Sequence, residues 1–173
     1  MWLFEVERPT VVLGSRQAIV TLPEVEVVRR RSGGGAVYLE PGGALWVDVV
    51  VPRGDEWWDD DVGRAAHWLG AAWAVAIGGA AVVHRGPMVT TEWSDLICFA
   101  GLGPGEVTVD GRKVVGISQR RTRDAARFQC VTYERWDPHP LVDLLHVEAD
   151  LDLMGAGVGP LPTVEAALLA EFT

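Results

Sequence analysis

Only one stretch of this chain, residues 65–83, stays apolar long enough to build an extended helix; elsewhere the apolar runs are short and are cut by glycine and proline. That contrast confines the fold to a sheet carrying few helices. In and just before the stretch, Val62, Ala65, Ala66, Leu69, Trp73, Ala76 and Ile77 recur at helical spacing, which predicts one buried stripe, and Gly78-Gly79 ends it. The stretch nears membrane-spanning length, but it carries His67 and Gly70 and follows Asp59-Asp60-Asp61. It reads as a capped helix of a globular domain. The three aspartates belong to its first turn, complementing the helix dipole, rather than to a calcium loop.

Segments with a period of two predict strands at 10–13, 24–28, 36–40, 44–51, 81–84, 95–100, 106–109, 113–118 and 128–133. Pro41-Gly42-Gly43 turns the third into the fourth, and Asp110-Gly111 marks a tight hairpin. Residues 141–145 predict a helical turn, and 163–172 a helix with Thr163 as its N-cap. The expected class is α+β, a mixed or antiparallel β-sheet flanked by helices, in one domain over residues 1–173. Of these residues 49% are hydrophobic and 23% charged, which supplies a core and excludes disorder.

A net charge of −9 opposes binding to nucleic acid or an anionic membrane, so neither is expected as a partner. Two cysteines, Cys98 and Cys130, without a secretion signal ahead of the first strand, fit a reducing cytoplasm. His67, His84, His139 and His146 lack the spacing of a zinc site, and no metal is expected. The spacing of Trp68 and Trp73 assigns them to core packing rather than to a sugar platform.

Two segments stand apart chemically. In Arg29-Arg30-Arg31-Ser32-Gly33-Gly34-Gly35-Ala36, three cations adjoin three glycines between two strands. Glycines let backbone N–H groups approach a ligand, and guanidiniums bind carboxylate or phosphate; a flexible loop beside a solvated strand end is the competing reading. The spacing is neither a Walker loop nor a dinucleotide fingerprint. The second segment runs Gly111-Arg112-Lys113-Val114-Val115-Gly116-Ile117-Ser118-Gln119-Arg120-Arg121, and with Arg123 and Arg127 it concentrates positive charge in an acidic chain. Strand alternation places Lys113 on the face of Val115, toward the packed side. There the ammonium either holds a carbonyl or phosphate oxygen or snorkels to water at the strand end.

Together these segments resemble the RRxSGGGAV and GxKxxGxxQxR signatures of the biotin/lipoyl protein ligase and transferase family, which includes lipoate-protein ligases and octanoyltransferases. The similarity runs from about Pro9 to about Tyr133. It implies an α+β catalytic domain of the lipoate-protein-ligase kind, with a narrow acyl tunnel enclosed by the glycine strand and Lys113. By that resemblance Lys113 contacts the acyl carbonyl, and Arg30, Gly33, Gly34, Gly35, Ala36, Val37 and Gly116 line the substrate, with Gln119 and Arg120 at its mouth. Asp95-Leu96-Ile97-Cys98-Phe99, the downstream Glu106 and Gly111-Arg112-Lys113 resemble a cysteine-dependent octanoyltransferase branch, whose cysteine forms the acyl thioester. Taken alone, Leu96-Ile97-Cys98-Phe99 reads equally as a core strand. Cys130 is read as a structural strand residue.

The favoured expectation is an acyltransferase carrying an octanoyl or lipoyl group from acyl carrier protein through Cys98 to a lysine of a lipoyl-type carrier domain, with no cofactor. The basic run Arg112 to Arg127 would dock the carriers. The alternatives are an ATP- and magnesium-dependent lipoate-protein ligase, with a possible accessory subunit, and a noncatalytic member that binds an acyl group or carrier domain. Family positions that commonly hold histidine, an acidic residue and asparagine here read Leu39, Glu40 and Gly43. The leading helix and the small C-terminal accessory domain of many ligases are expected to be missing.

Overall fold

A computed structural model describes residues 1–18, 22, 23 and 25–172. Its larger sheet has six strands, β1 (Trp2–Phe4), β5 (Ala44–Pro52), β9 (Ala125–Tyr133), β8 (Arg112–Arg121), β7 (Val107–Val109) and β6 (Val82–Val83), adjacent in that order and all antiparallel. The smaller sheet runs β3 (Glu26–Arg29), β2 (Thr10–Leu13), β4 (Val37–Leu39), with β2 parallel to β3 and antiparallel to β4. Helices α1 (His67–Ile77), α2 (His139–Leu145) and α3 (Leu161–Ala170) complete the elements.

Alternation in the long strands sorts side chains between two cores. Leu45, Val47, Val49, Val115, Phe128 and Cys130 face α1 and α3, which supply Leu69, Trp73, Leu161, Val164 and Leu168. Trp46, Val131 and Tyr133 face the small sheet, meeting Val12, Val37, Leu39 and Phe99. Behind the small sheet, Val11, Leu13 and Ala36 pack with Ile97 and with Leu141 of α2. The layers are therefore helices, large sheet, small sheet and α2. Cys130 is fully buried as a strand residue, and burial pushes its thiol up to about 12.

The Asp110-Gly111 hairpin forms, with φ of 50° and 76° at its two central residues, the primed geometry that suits the twist of its strands. Several expectations shift. The α1 helix begins at His67, so Val62 lies outside it and is 62% exposed. Asp59 and Asp61 bind Arg64 instead of occupying the first turn. Thr163 lies inside α3, whose N-cap is Pro160, because proline's fixed φ starts a helix earlier than a hydroxyl cap does. Residues 95–100 form no strand: Ile97 makes one bridge to Ala36, and Cys98–Ala100 is a 3-10 turn. The expected 24–28 strand is found at Glu26–Arg29, Glu24 lying outside the described residues.

A bulge matters most. Val107 pairs with Val115 while Thr108 pairs with Lys113, leaving Val114 as an extra residue. Val114 and Val115 both enter the helix-side core, so Lys113 faces the opposite way from Val115, contrary to simple alternation.

Trp73 is fully buried, and Trp73→Ala is expected to cost about 3–5 kcal/mol in urea denaturation. Val62→Ser, on an exposed turn, should stay within about 0.5 kcal/mol of the parent.

Candidate active site

The glycine-rich segment is a bracket for the Cys98 turn. Arg30 is buried, and its guanidinium donates to the carbonyls of Val12 (3.3 Å), Gly33 (2.9 Å) and Gly35 (2.8 Å). These bonds fold the loop back on β2, where a Cβ at Gly14 would stand 1.8 Å from the Gly34 oxygen. A Cβ at Gly35 would stand 2.5 Å from the backbone of Ile97. Only hydrogen at that position lets the Ala36 N–H reach Leu96 O (2.7 Å) and the Cys98 N–H reach Ala36 O (2.9 Å). The resulting placement aims the sulfur at β8, where a Cβ at Gly116 would lie 3.3 Å from Sγ.

Beside the sulfur lies a buried ion pair. Lys113 Nζ is 2.7 Å from Glu106 Oε2, and both side chains are almost entirely buried. The ammonium also donates to Cys98 O (2.9 Å) and Gly101 O (3.0 Å) and lies 3.8 Å from Cys98 Sγ. Glu106 accepts from Gly103 N (2.6 Å) and Ile117 N (2.9 Å). Burial alone would draw the Lys113 ammonium down, but the neighbouring Cys98 and Glu106 outweigh it and hold Lys113 above its ordinary value.

Between the sheets runs a groove of about 470 Å³, with Val12, Val28, Leu39 and Trp46 as apolar wall and arginines along the lip. Its inner residues Arg30, Trp46 and Gln129 also line a small cavity of about 10 Å³, closed by Cys98, Gly116, Ser118 and Val131. A polar network borders this passage. Fully buried Asp48 accepts from Trp46 Nε1 (2.8 Å) and Arg127 Nε (2.6 Å), and Ser32 Oγ meets Gln129 Oε1 and Ser118 Oγ, each at 2.8 Å.

The structure thus brings together Cys98, Lys113, Arg30, Gly35, Ala36, Val37 and Gly116. Gly33 and Gly34 belong to the bracket, Gly33 with open space where a side chain would be. Gln119 does not join them: it pairs with Phe128 on the helix-covered face. Arg120 is exposed, donating to Arg31 O (3.3 Å). Sequence reasoning left Trp46, Asp48, Ser118 and Gln129 unassigned. The available signal was a polar residue inside an apolar strand, as in Val47-Asp48-Val49 and Phe128-Gln129-Cys130. Among the described residues no group of three or more His, Cys, Asp or Glu is placed to hold a metal ion, and no helix is long and apolar enough to cross a membrane.

Residues 1–161 match the lipoyl protein ligase A/B catalytic domain. No curated protein sequence is significantly similar to the chain. Among solved structures, a lipoate-protein ligase A bound with ATP is 18% identical with a TM-score of 0.65, the match covering 98% of this chain and 69% of that one. LipL1 of P. falciparum, in complex with lipoate, is 16% identical with a TM-score of 0.62, over 98% of this chain and 45% of that one. A bipartite lipoate protein ligase from Thermoplasma acidophilum, described with its E2 lipoyl domain, is 16% identical with a TM-score of 0.59, over 98% and 68%. These three likenesses are of fold; the family match, running from the first residue to the start of α3, decides membership, and the chain belongs to the lipoyl protein ligase A/B catalytic-domain family, a family of enzymes.

Proposed function

We propose that the chain is an acyltransferase that carries a medium-chain acyl group, octanoyl or lipoyl, from an acyl carrier protein thioester to Cys98 and then to a lysine on a lipoyl-type carrier domain. The observation behind this reading is the 3.8 Å approach of the Lys113 ammonium to the Cys98 sulfur, which faces a cavity at the inner end of the inter-sheet groove. In the loading step the sulfur attacks the thioester carbonyl carbon. A new C–S bond forms, the bond to the carrier sulfur breaks, and the Cys98 proton ends on the departing carrier thiol. In the second step the acceptor amine attacks, a C–N bond forms, the C–S bond to Cys98 breaks, and a proton returns to sulfur. The fixed ammonium stabilises negative charge as it develops on sulfur and on the carbonyl oxygen. Its N–H groups are already engaged, so it reaches a substrate oxygen by giving up Cys98 O or Gly101 O.

Charge pairing in the groove supports transfer over ATP-dependent ligation. Arg8 pairs with Glu26, Arg127 with Asp48, Arg29 binds Gln17 O, and Arg30 is committed to carbonyls. Few uncommitted cations remain for a triphosphate, so the reading takes no step through ATP or magnesium. The carrier-docking run is likewise partly engaged: Arg121 lies over the Trp58 ring at 4.3 Å and Arg112 binds Asp152 O, leaving Arg120 and Arg123 as exposed contacts for an acidic carrier.

Mixing with octanoyl-loaded acyl carrier protein should give an octanoyl mass adduct on Cys98 by peptide-resolved mass spectrometry, absent from Cys98→Ser. No adduct on wild type, with acyl-adenylate formed from ATP and lipoate, would instead indicate a ligase. Lys113→Met should slow acylation about 100- to 1,000-fold. It should also destabilise the fold by about 3–5 kcal/mol, because Glu106 is left buried without its counter-ion. The double variant K113M/E106Q should regain most of that stability while acylation stays slow. Since Lys113 is held above its ordinary value, its contribution is complete below the unfolded pKa of roughly 10.4 and is lost as pH rises through the folded value. The Tm difference between wild type and the double variant should therefore be flat from about pH 7 to about 9 and change only above about pH 10.

A further inference from the structure

Lys113 Nζ contacts two groups able to carry negative charge, Glu106 Oε2 at 2.7 Å and Cys98 Sγ at 3.8 Å. With the sulfur anionic, Cys98 and Glu106 both neutralise the ammonium; once Cys98 carries an acyl group the sulfur is neutral, and Glu106 at 2.7 Å is the remaining anion in contact with Nζ. The other charged or titratable groups facing this cluster are Arg30, from the glycine bracket, and Tyr133, from β9; both interact electrostatically with Cys98, and neither is hydrogen-bonded to Nζ. A lysine this buried, without a counter-ion, gives up its proton. A neutral amine 3.8 Å from a thioester sulfur is itself a nucleophile, within reach of the adjacent carbonyl carbon.

We propose that Glu106 keeps Lys113 protonated beside an acylated Cys98 and so prevents the acyl group from migrating from sulfur to the lysine nitrogen. The reaction it blocks is balanced without a co-reactant. The Lys113 lone pair attacks the thioester carbon, a C–N bond forms, the C–S bond breaks, and the amine proton passes to the released Cys98 sulfur, leaving an amide that disables the site. Glu106 is thus a positioning residue that acts through Lys113. The backbone bonds from Gly103 and Ile117 fix its carboxylate against the ammonium. This inference rests on the thioester reading of Cys98.

The test loads wild type, Glu106→Gln and Glu106→Asp with octanoyl carrier protein at neutral pH, then treats each with hydroxylamine, which cleaves thioesters and spares amides. Wild type and E106D should carry only a hydroxylamine-labile group on Cys98. E106Q should accumulate a hydroxylamine-resistant octanoyl group on Lys113, more than tenfold above wild type. A folded E106Q that bears the labile adduct on Cys98 and leaves Lys113 unmodified overturns the proposal, as does resistant adduct on Lys113 of wild type at neutral pH. If E106Q does not fold, wild type carried through rising pH replaces it: amide on Lys113 that increases with pH supports the proposal, and a Cys98 thioester that is lost only by hydrolysis at every pH overturns it. A wild type with no Cys98 adduct fails the thioester reading instead, so the two failures are distinguishable.

Discussion

The ammonium of Lys113 is the point on which the interior depends. It ties β8 to both ends of the Cys98 turn through Cys98 O and Gly101 O, and to the approach of β7 through Glu106. Removing two charges from water costs several kcal/mol per ion, so such a pair survives only with well-directed partners for its remaining hydrogens and lone pairs. Here the backbone N–H groups of Gly103 and Ile117 and two carbonyls provide them. Replacing both partners by well-packed apolar residues of similar volume would stabilise the fold as well or better. The charged pair lies beside a partly exposed sulfur, where the proposed transfer would give it a chemical use.

The glycine bracket solves a different problem, that of holding the Cys98 side chain in place on a segment with little regular structure of its own. Cys98 lies on a short turn, and turns move unless their backbone groups are engaged. Close approach of Gly35 to Ile97 brings three consecutive residues within reach of two backbone hydrogen bonds, and Arg30 keeps the bracket from opening by taking three carbonyls at once. Arg30 therefore stiffens the wall of the site, with four of its five N–H groups spent on these carbonyls. The groove between the sheets owes its polar inner wall to Asp48 and Gln129, which the strands carry inward among valines and which Trp46, Arg127 and Ser32 satisfy. That wall gives the inner end of the groove polar side chains beside its apolar ones.

Much of the fold was legible because it is written in local signals. Asp110-Gly111 demands a hairpin, Val47 to Val51 alternates around a central strand, and the 65–77 stripe can bury itself only as a helix. The two family signatures located the bracket and β8, since both are contiguous and their residue types are dictated by close backbone contacts. Two features escaped because packing against distant segments decides them. The turn at Cys98 looked like a strand because its residues are apolar; they are buried by the bracket and by Phe99 stacking on Trp136 at 4.6 Å, not by pairing. Gln119 was placed at the site because it belongs to a signature, yet its parity sends it to the helix-covered face.

Residue order alone settled which segments could be strand, helix or tight turn, and which two motifs could carry chemistry, because propensity, periodicity and turn geometry act over a few neighbouring residues. Tertiary structure decided which of those residues meet. The extra residue Val114 in β8 turns Lys113 away from the helices and toward Cys98, and the pairing of β5 with β9 brings Asp48 beside Gln129. The second depends on register between strands far apart in the chain, and the first on a bulge inside a hairpin whose turn residues do not announce it. Register is chosen by the fit of whole faces, a balance of burial and hydrogen bonding that no single segment contains.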